Sequence, residues 1–476
     1  MLPALILIPF LAGALAMAIP WNRWRPWLLL PVSIAHLVLT VRAVQHPAPA
    51  AAGWFVLDPP GRLVLLMLSV LFLICSVYTI GYLRHRSEAN NRVFVACILA
   101  FLATTTLVTC SHHLGVMWVA IEATTLSSAP LIYFNRTQRS IEATWKYLLV
   151  GSVGIAIALL GTFFLAYASL LHGGEASLLF EDLMRRAPML DKSWLQAAFV
   201  LLLVGYGTKM GLAPMHTWKP DAYGEAPGVI GALLAGGLTN CAFLALLRIY
   251  RICHAAGESQ YAGRLLIFIG LLSMVFAAVF MVGQRDFKRM LAYSSVEHMG
   301  ILALGVGIGG PALFGALLHM INNGITKGVL FLSAGNIHRA YDDKTTDEVR
   351  GAMRRLPLSG TLFLFGFLAI TGSPPFGPFV SEFSILNGAF LQGRFLSGAA
   401  FLLLLLIIFV GMGKTVLTVV QGRPLPGTKA TAYRDGLLTG LPILASMAIV
   451  LLLGIHVPAS LQGMLRDATS FVEVRP

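Results

Sequence analysis

Fourteen stretches of this chain are apolar over a length that crosses a lipid bilayer. They run roughly over 2–20, 27–45, 61–83, 93–110, 114–134, 143–169, 195–217, 228–250, 263–283, 289–308, 312–337, 357–390, 396–420 and 436–457. Most reach the ~20 residues that a transmembrane helix needs. The pattern therefore predicts an all-α polytopic membrane protein with about fourteen transmembrane helices. Two runs are interrupted. The seventh contains Gly211 and Pro214 shortly after Lys209, and the twelfth contains Gly372-Ser373-Pro374-Pro375 ahead of Glu382. A proline inside a span removes a backbone hydrogen bond, which lipid tolerates only where protein or water satisfies the freed group. Helices 7 and 12 are thus expected to be discontinuous, with Pro214, Pro374 and Pro375 at the breaks.

The breaks lie five helices apart, and each has an ionisable residue beside it. Transporters built from inverted repeats place their sites at such broken helices. Two inverted five-helix units follow as an expectation, helices 4–8 over 93–250 and helices 9–13 over 263–420. Helices 1–3 (1–92) and helix 14 (436–457) flank them within a single membrane domain, 1–476.

Composition sharpens this picture. Of 476 residues, 57% are hydrophobic and 12% charged, and the mean hydropathy is +0.78. Soluble domains carry about 25% charged residues. A soluble enzyme and a nucleic-acid binder are excluded, although a net charge of +13 would suggest nucleic acid in a soluble protein. Here the charge follows the positive-inside bias. Loops after odd-numbered helices hold 19 of the 34 Lys and Arg residues, the opposite face holds 11, and Lys146, Lys209, Lys327 and Lys414 fall inside spans. Both termini are therefore expected on the periplasmic side of an inner (cytoplasmic) membrane. The stretch from Met1 to Pro20 has no basic residue ahead of its apolar run and reads as a first helix, not a cleaved signal.

Charge inside a span is expensive, about 2.5–3.5 kcal/mol per residue at a helix centre. Glu122, Lys209, Lys327 and Glu382 would together cost about 10 kcal/mol facing lipid. They are expected to face one another, a bundle interior or water, where such groups relay protons or ions. Glu122 shares its span with Thr124, Thr125, Ser127 and Ser128, which can line a wet path. If Glu122 and Lys209 approach to ~6 Å at an effective dielectric of ~20, Coulomb's law gives about 2.8 kcal/mol. Moving the glutamate toward and away from Lys209 would then switch the lysine between holding and releasing a proton. His319, eight residues before Lys327, lies on nearly the same helix face and titrates near neutrality, which suits a relay. His298, beside Glu297, and Lys414 are further candidates for the same axis. His112 and His113 read as solvated loop residues.

Other chemistry is not indicated. Cys75, Cys97, Cys110, Cys241 and Cys253 lie in or beside apolar runs and never as CxxC, which argues against zinc, Fe–S and haem sites. No His/Glu/Cys set has metal-ligand spacing. The run Gly305–Gly310 joins two spans without a preceding strand, so a dinucleotide loop is not expected. No catalytic residue, metal or cofactor is assigned.

The stretch Lys209-Met-Gly-Leu-Ala-Pro214-Met-His216-Thr-Trp218-Lys-Pro220-Asp221-Ala-Tyr-Gly-Glu225-Ala-Pro227 resembles the signature of the antiporter-like subunits of respiratory complex I, membrane-bound hydrogenases and Mrp-type sodium/proton antiporters. Three further stretches agree. They are Asp286 to Ser295, His319 to Phe331, and Gly372 to Pro375 with Ser381-Glu382-Phe383. Within that family, the seventh-span motif and the Ser-Glu-Phe form are most similar to the hydrogenase-4 component F branch. The resemblance implies a fourteen-helix core of inverted five-helix repeats. It also implies that Glu122, Lys209, Lys327 and Glu382 carry the half-channels and a lateral hydrophilic axis. The sequence stops just after the fourteenth run, so the long lateral helix of the largest complex I member is not expected.

Two positions depart from the family pattern. Asn240 stands eight residues before Arg248 where a lysine is usual, and Asn323 stands four before Lys327 where a histidine is usual. Asparagine hydrogen-bonds water but holds no proton charge. Transfer past both points would rest on water chains with His319 and Lys327 as the ionisable stations.

The leading reading is a proton-translocating subunit of a redox-driven complex of the hydrogenase-4 or NADH:quinone oxidoreductase type. Its partners would be other membrane subunits, a peripheral module (hydrogenase-like or quinone-reducing), the lipid bilayer and protons. The alternatives are a subunit of an Mrp-type cation/proton antiporter, with sodium as coupling ion, and a structural subunit that has lost pumping.

Overall fold

A computed structural model of the chain describes residues 1–46, 53–86, 90–171, 177–424 and 431–473. Among these residues the fold is helical, with only isolated bridges between extended residues. The first half comprises α1 (Leu2–Ala18), α2 (Leu29–Gln45), α3 (Pro59–Arg84), α4 (Arg92–Cys110), α5 (Leu114–Ile132), α6 (Gln138–Leu170), the short α7 (Phe180–Arg186), α8 (Lys192–Met210) and α9 (Trp218–Glu225). Next come α10 (Gly228–Leu233) and α11 (Thr239–Ala255), joined by a single π turn over Leu234–Leu238 into one continuous span. The second half comprises α12 (Ser259–Met281), α13 (Phe287–Ile308), α14 (Pro311–Tyr341), the short α15 (Ala352–Arg355), α16 (Pro357–Ile370), α17 (Gly377–Leu391), α18 (Phe395–Gln421), α19 (Leu437–Ile455) and α20 (Ala459–Glu473).

Ten of the described helical segments are long and apolar enough to cross a membrane. The remaining predicted spans depart for visible reasons. The first is a 17-residue helix, the eleventh (α14) is long but rich in polar residues, and the seventh and twelfth are each split in two. The split of the seventh separates α8 from α9, and that of the twelfth separates α16 from α17.

Helix boundaries follow local chemistry. Asp58 caps α3 by accepting from the Gly61 amide, and Pro59 and Pro60 occupy positions where no amide donor is needed. Asp286 caps α13 through the Lys288 and Arg289 amides, and Asp191 caps α8 through the Trp194 amide. His113, expected in solvent, instead accepts from the Gly115 and Val116 amides at the start of α5 and stacks against Trp54. Partial burial lowers the proton affinity of both His112 and His113.

Buried polar side chains are set within an apolar core, and the outer surface of the spans is apolar. The helix formed by α10 and α11, and helix α13, are buried along their apolar windows, whereas α6, α12 and α18 keep much of theirs on the outer surface. Trp145, Leu149, Val153 and Phe163 of α6 point outward. Ser294, Ser295, Glu297 and His298 of α13 are buried, as are His319, Asn322, Asn323, Thr326 and Lys327 of α14. Lipid solvates the first set, and only protein or water can solvate the second.

Candidate functional site: a buried polar axis

The polar interior resolves into three groups of side chains. The first lies where α5, α6 and α8 meet. Glu122 and Lys209 form an ion pair at 3.1 Å, half the separation assumed from sequence alone. Lys209 sits in the last turn of α8, where a cation is favoured by the helix dipole. Its ammonium also donates to the Thr125 hydroxyl at 2.5 Å, and the Ser152 hydroxyl donates to the other Glu122 oxygen at 3.1 Å. Lys209 is fully buried, while the Glu122 side chain keeps 21% exposure. One partner is thus locked in the interior and the other reaches its edge. Thr124, Thr125, Ser127 and Ser128 each donate to a carbonyl of their own helix, and Thr125 is the one whose oxygen also accepts from Lys209.

Gly151 of α6 supplies the space for the ammonium. A Cβ at that position would lie 2.7 Å from Lys209 Nζ. Gly151→Ala is therefore expected to push the ammonium off Glu122 and slow proton transfer at least tenfold without unfolding the protein. Proton uptake by sealed vesicles, compared at matched protein content, measures this; wild-type rates would refute the packing assignment.

The second group forms across the break in the seventh span. Helix α8 ends at Gly211, whose φ of +80° lies in the left-handed region that favours glycine. Pro214 follows in the connecting turn, and Trp218 ties the chain back by donating to the Thr208 carbonyl at 2.9 Å. The stem of Lys219 folds over the break so closely that a Cβ on Gly211 would lie 2.3 Å from its Cε. Its ammonium donates to the Ser295 hydroxyl at 3.0 Å, and Lys327 donates to the neighbouring Ser294 hydroxyl at 2.8 Å. Two fully buried lysines from α9 and α14 thus meet consecutive hydroxyls of α13.

The third group joins α13, α14 and α17. His298 Nδ1 and His319 Nε2 share a hydrogen bond of 2.9 Å, and His319 Nδ1 shares one of 2.9 Å with the Ser381 hydroxyl. An imidazole in such a chain accepts a proton at one nitrogen and releases one at the other. Glu382 follows Ser381 just beyond the second break. The bend after α16 contains Gly372 at φ +68°, and a Cβ there would lie 2.1 Å from a Glu382 oxygen. Pro374 and Pro375 lie exposed in the same bend. His298, His319 and Glu382 offer ligand atoms within 4.8 Å of one another, a cluster of metal-binding type that sequence spacing did not show. The facing nitrogens of the two histidines are already paired to each other.

Several buried atoms around this group lack a hydrogen-bond partner among the described residues. They include Glu297 Oε1, His298 Nε2, Asn322 Oδ1, Glu382 Oε1 and both amide atoms of Asn323. An unmet buried polar group costs about 1–3 kcal/mol, and bridging water is the partner that would offset it. Asn240 donates to the Gly236 carbonyl at 2.8 Å, lies against Gly324 and keeps its own oxygen unmet. Asn240 thus packs from α11 against α14, one residue along from Asn323.

Not every sequence candidate joins the axis. Lys414 lies on the exposed face of α18, seven residues from its end, and is kept out of the interior. Lys146 pairs at the surface with Glu142 at 2.6 Å and Asp221 at 3.0 Å. Two further buried groups join the axis: Lys219, in a stretch that the charge pattern places in a loop, and Glu297, whose carboxylate lies 3.8 Å from His298 Nε2.

The sequence pattern of the family described as NADH:quinone oxidoreductase/Mrp antiporter, TM, matches residues 111–410, a range that contains both broken helices and all three groups. The chain belongs to this family. A relative described as hydrogenase-4 component F homolog, from Methylacidiphilum infernorum, is 35% identical over 427 residues, covering 88% of this chain and 89% of its own length. NADH-quinone oxidoreductase subunit N of Desulforudis audaxviator is 30% identical over 390 residues, covering 80% and 76%. A chain in the structure of the Mrp complex from Dietzia sp. superposes with a TM-score of 0.88 at 20% identity, covering 99% of this chain and 97% of that one. That last likeness is one of fold. This antiporter-type subunit is thus a multi-pass, helical membrane protein of the hydrogenase-4 and NADH:quinone oxidoreductase kind, and related chains are subunits of multi-subunit membrane complexes.

Proposed function

We propose that this family member moves protons across the inner (cytoplasmic) membrane as one subunit of a redox-driven complex. The single observation that carries the reading is the Glu122–Lys209 pair at 3.1 Å, placed at a helix break and continued inward by buried titratable groups as far as Glu382. The chain itself makes and breaks no covalent bonds other than those to protons. A buried ammonium is stabilised by its counter-charge, and stranding it costs several kcal/mol. Withdrawing or neutralising Glu122 therefore drives the proton off Lys209. Lys219 and Lys327, each once it has passed its own proton on and stands as a neutral amine, and the His298–His319–Ser381 chain offer the next acceptors, and Glu382 ends the route in the second broken helix. Restoring Glu122 reloads Lys209.

In this reading the two broken helices belong to inverted five-helix units, 93–250 and 263–420, with both termini periplasmic. The charge shift that moves Glu122 comes from a peripheral redox module, hydrogenase-like or quinone-reducing, through neighbouring membrane subunits. The test uses sealed inverted vesicles that contain the assembled complex. Proton uptake that requires an electron donor and is unaffected by sodium is expected. Sodium-dependent proton exchange without any donor would replace the reading with a cation/proton antiporter, and a donor-driven complex that moves no protons would leave a structural role.

A further inference from the structure

A cavity of about 610 Å³ opens far from the polar axis, between the α1–α2 connection and the C-terminal end of α3. Asn22, Arg23, Trp24, Trp27 and Arg84 line it, with Ile80 and Leu83 contributing from α3. Helix α3 has 26 residues, and at a rise of ~1.5 Å each it is longer than the ~30 Å hydrocarbon core. Its terminal Arg84 therefore stands at headgroup level, where tryptophans also collect.

The charges at this cavity are poised for an anion. Arg84 lies over the Trp27 ring at 5.0 Å and Arg23 over the Trp24 ring at 5.9 Å. Neither forms an ion pair with a carboxylate among the described residues. Arg25, between the two tryptophans, behaves differently. It is buried and its donors are taken by Asn22, Asn91 and the Ile19 carbonyl, so it holds the connection in shape. Two guanidinium groups are thus presented on a fixed frame, and their planar donor fork matches phosphate oxygens.

The apolar side of the cavity decides which phosphate. Leu11 and Leu15 of α1 and Ile34 and Val38 of α2 are exposed. They lie on the two helices that lead into this connection, and the wall of the cavity is itself apolar at Trp24, Trp27, Ile80 and Leu83. Basic donors at the water interface above an apolar surface fit a molecule with an anionic head and acyl tails. We propose that this cavity binds the headgroup of an anionic phospholipid, which clips the α1–α2 hairpin to the end of α3.

The test uses the full chain in detergent, stripped of lipid and titrated separately with dioleoyl phosphatidylglycerol, dioleoyl phosphatidylcholine and inorganic phosphate. Retained lipid is measured by mass, and the thermal midpoint is followed in parallel. Phosphatidylglycerol should be retained and should raise the midpoint, while the other two should do neither. The double variant Arg23→Gln/Arg84→Gln should bind phosphatidylglycerol about thirtyfold more weakly, at about 1 kcal/mol for each basic residue, with its lipid-free midpoint unchanged. Arg23→Lys/Arg84→Lys should recover only part of that affinity, because an ammonium keeps the charge and loses the fork. Equal retention of the two lipids, an equal midpoint rise from phosphate alone, or undiminished binding by the Gln variant would overturn the proposal. So would a photo-crosslink from position 84 to a protein chain in native membranes.

Discussion

Lys209→Met is expected to abolish donor-driven proton translocation while the complex assembles at wild-type levels. Methionine keeps the length of the buried stem and removes the one group that carries the proton. It strands little, because Glu122 retains 21% exposure and the Ser152 hydroxyl. Glu122→Gln should abolish translocation equally, but with a different stability signature. It leaves a fully buried ammonium beside Thr125, and removing one partner of a buried pair costs about 3–5 kcal/mol. The lysine then either loses its proton or destabilises the bundle. The double variant should recover stability and stay inactive. Proton uptake by sealed vesicles and thermal unfolding of the purified protein give the two readouts. Normal pumping by either single variant would sink the mechanism.

The second large effect is one of stability, in the middle of α11. Arg248 reaches Asp58 with two donors, at 2.8 and 3.0 Å, and gives others to the Val108 and Thr109 carbonyls at 3.0 and 2.8 Å. One guanidinium thus serves the cap of α3 and the open carbonyls at the end of α4. Arg248→Met would leave a buried carboxylate and two unmet carbonyls, a loss of about 3–5 kcal/mol. Arg248→Lys should rescue little, since an ammonium cannot copy the fork. Removing both charges with Asp58→Ala/Arg248→Met should be less damaging than Arg248→Met alone. A thermal midpoint in Arg248→Met equal to that of the wild type would show that the pair holds nothing together.

How far the sequence reveals these groups depends on what makes a charge visible. Glu122, Lys209, Lys327 and Glu382 stand out because an ionisable group in a run of membrane length is costly wherever it faces. Both breaks are equally visible, since glycine and proline interrupt an otherwise continuous run. Glu297 obeys the same rule, in the run 289–308, beside His298. Lys219 breaks the rule's assumption. It lies just past 217, where the seventh apolar run ends, yet the chain folds back and buries it; Trp218 and Ala222, at helical spacing, are the signal that the helix resumes. Lys414 errs the other way. Linear position says that a residue is within a span but not which side of the helix it occupies, and α18 turns this lysine outward. The Asp58–Arg248 pair joins residues 190 positions apart, a separation that no local pattern encodes.

The π turn over Leu234–Leu238 has a consequence for how this chain can change in length. Each residue of an α-helix advances the side-chain direction by about 100°, and a π turn carries an extra residue that shifts this phase once, in the middle of a span. Upstream, Gly228 is pressed against the Phe331 carbonyl and Gly335; downstream, Arg248 is fixed on Asp58. Deleting one residue between these anchors would let the segment relax to a regular helix and rotate one anchor by about 100° relative to the other. Single-residue deletions are therefore incompatible with holding both, although they would leave the segment fully helical and apolar. Homologous chains that regularise this turn must re-anchor one end.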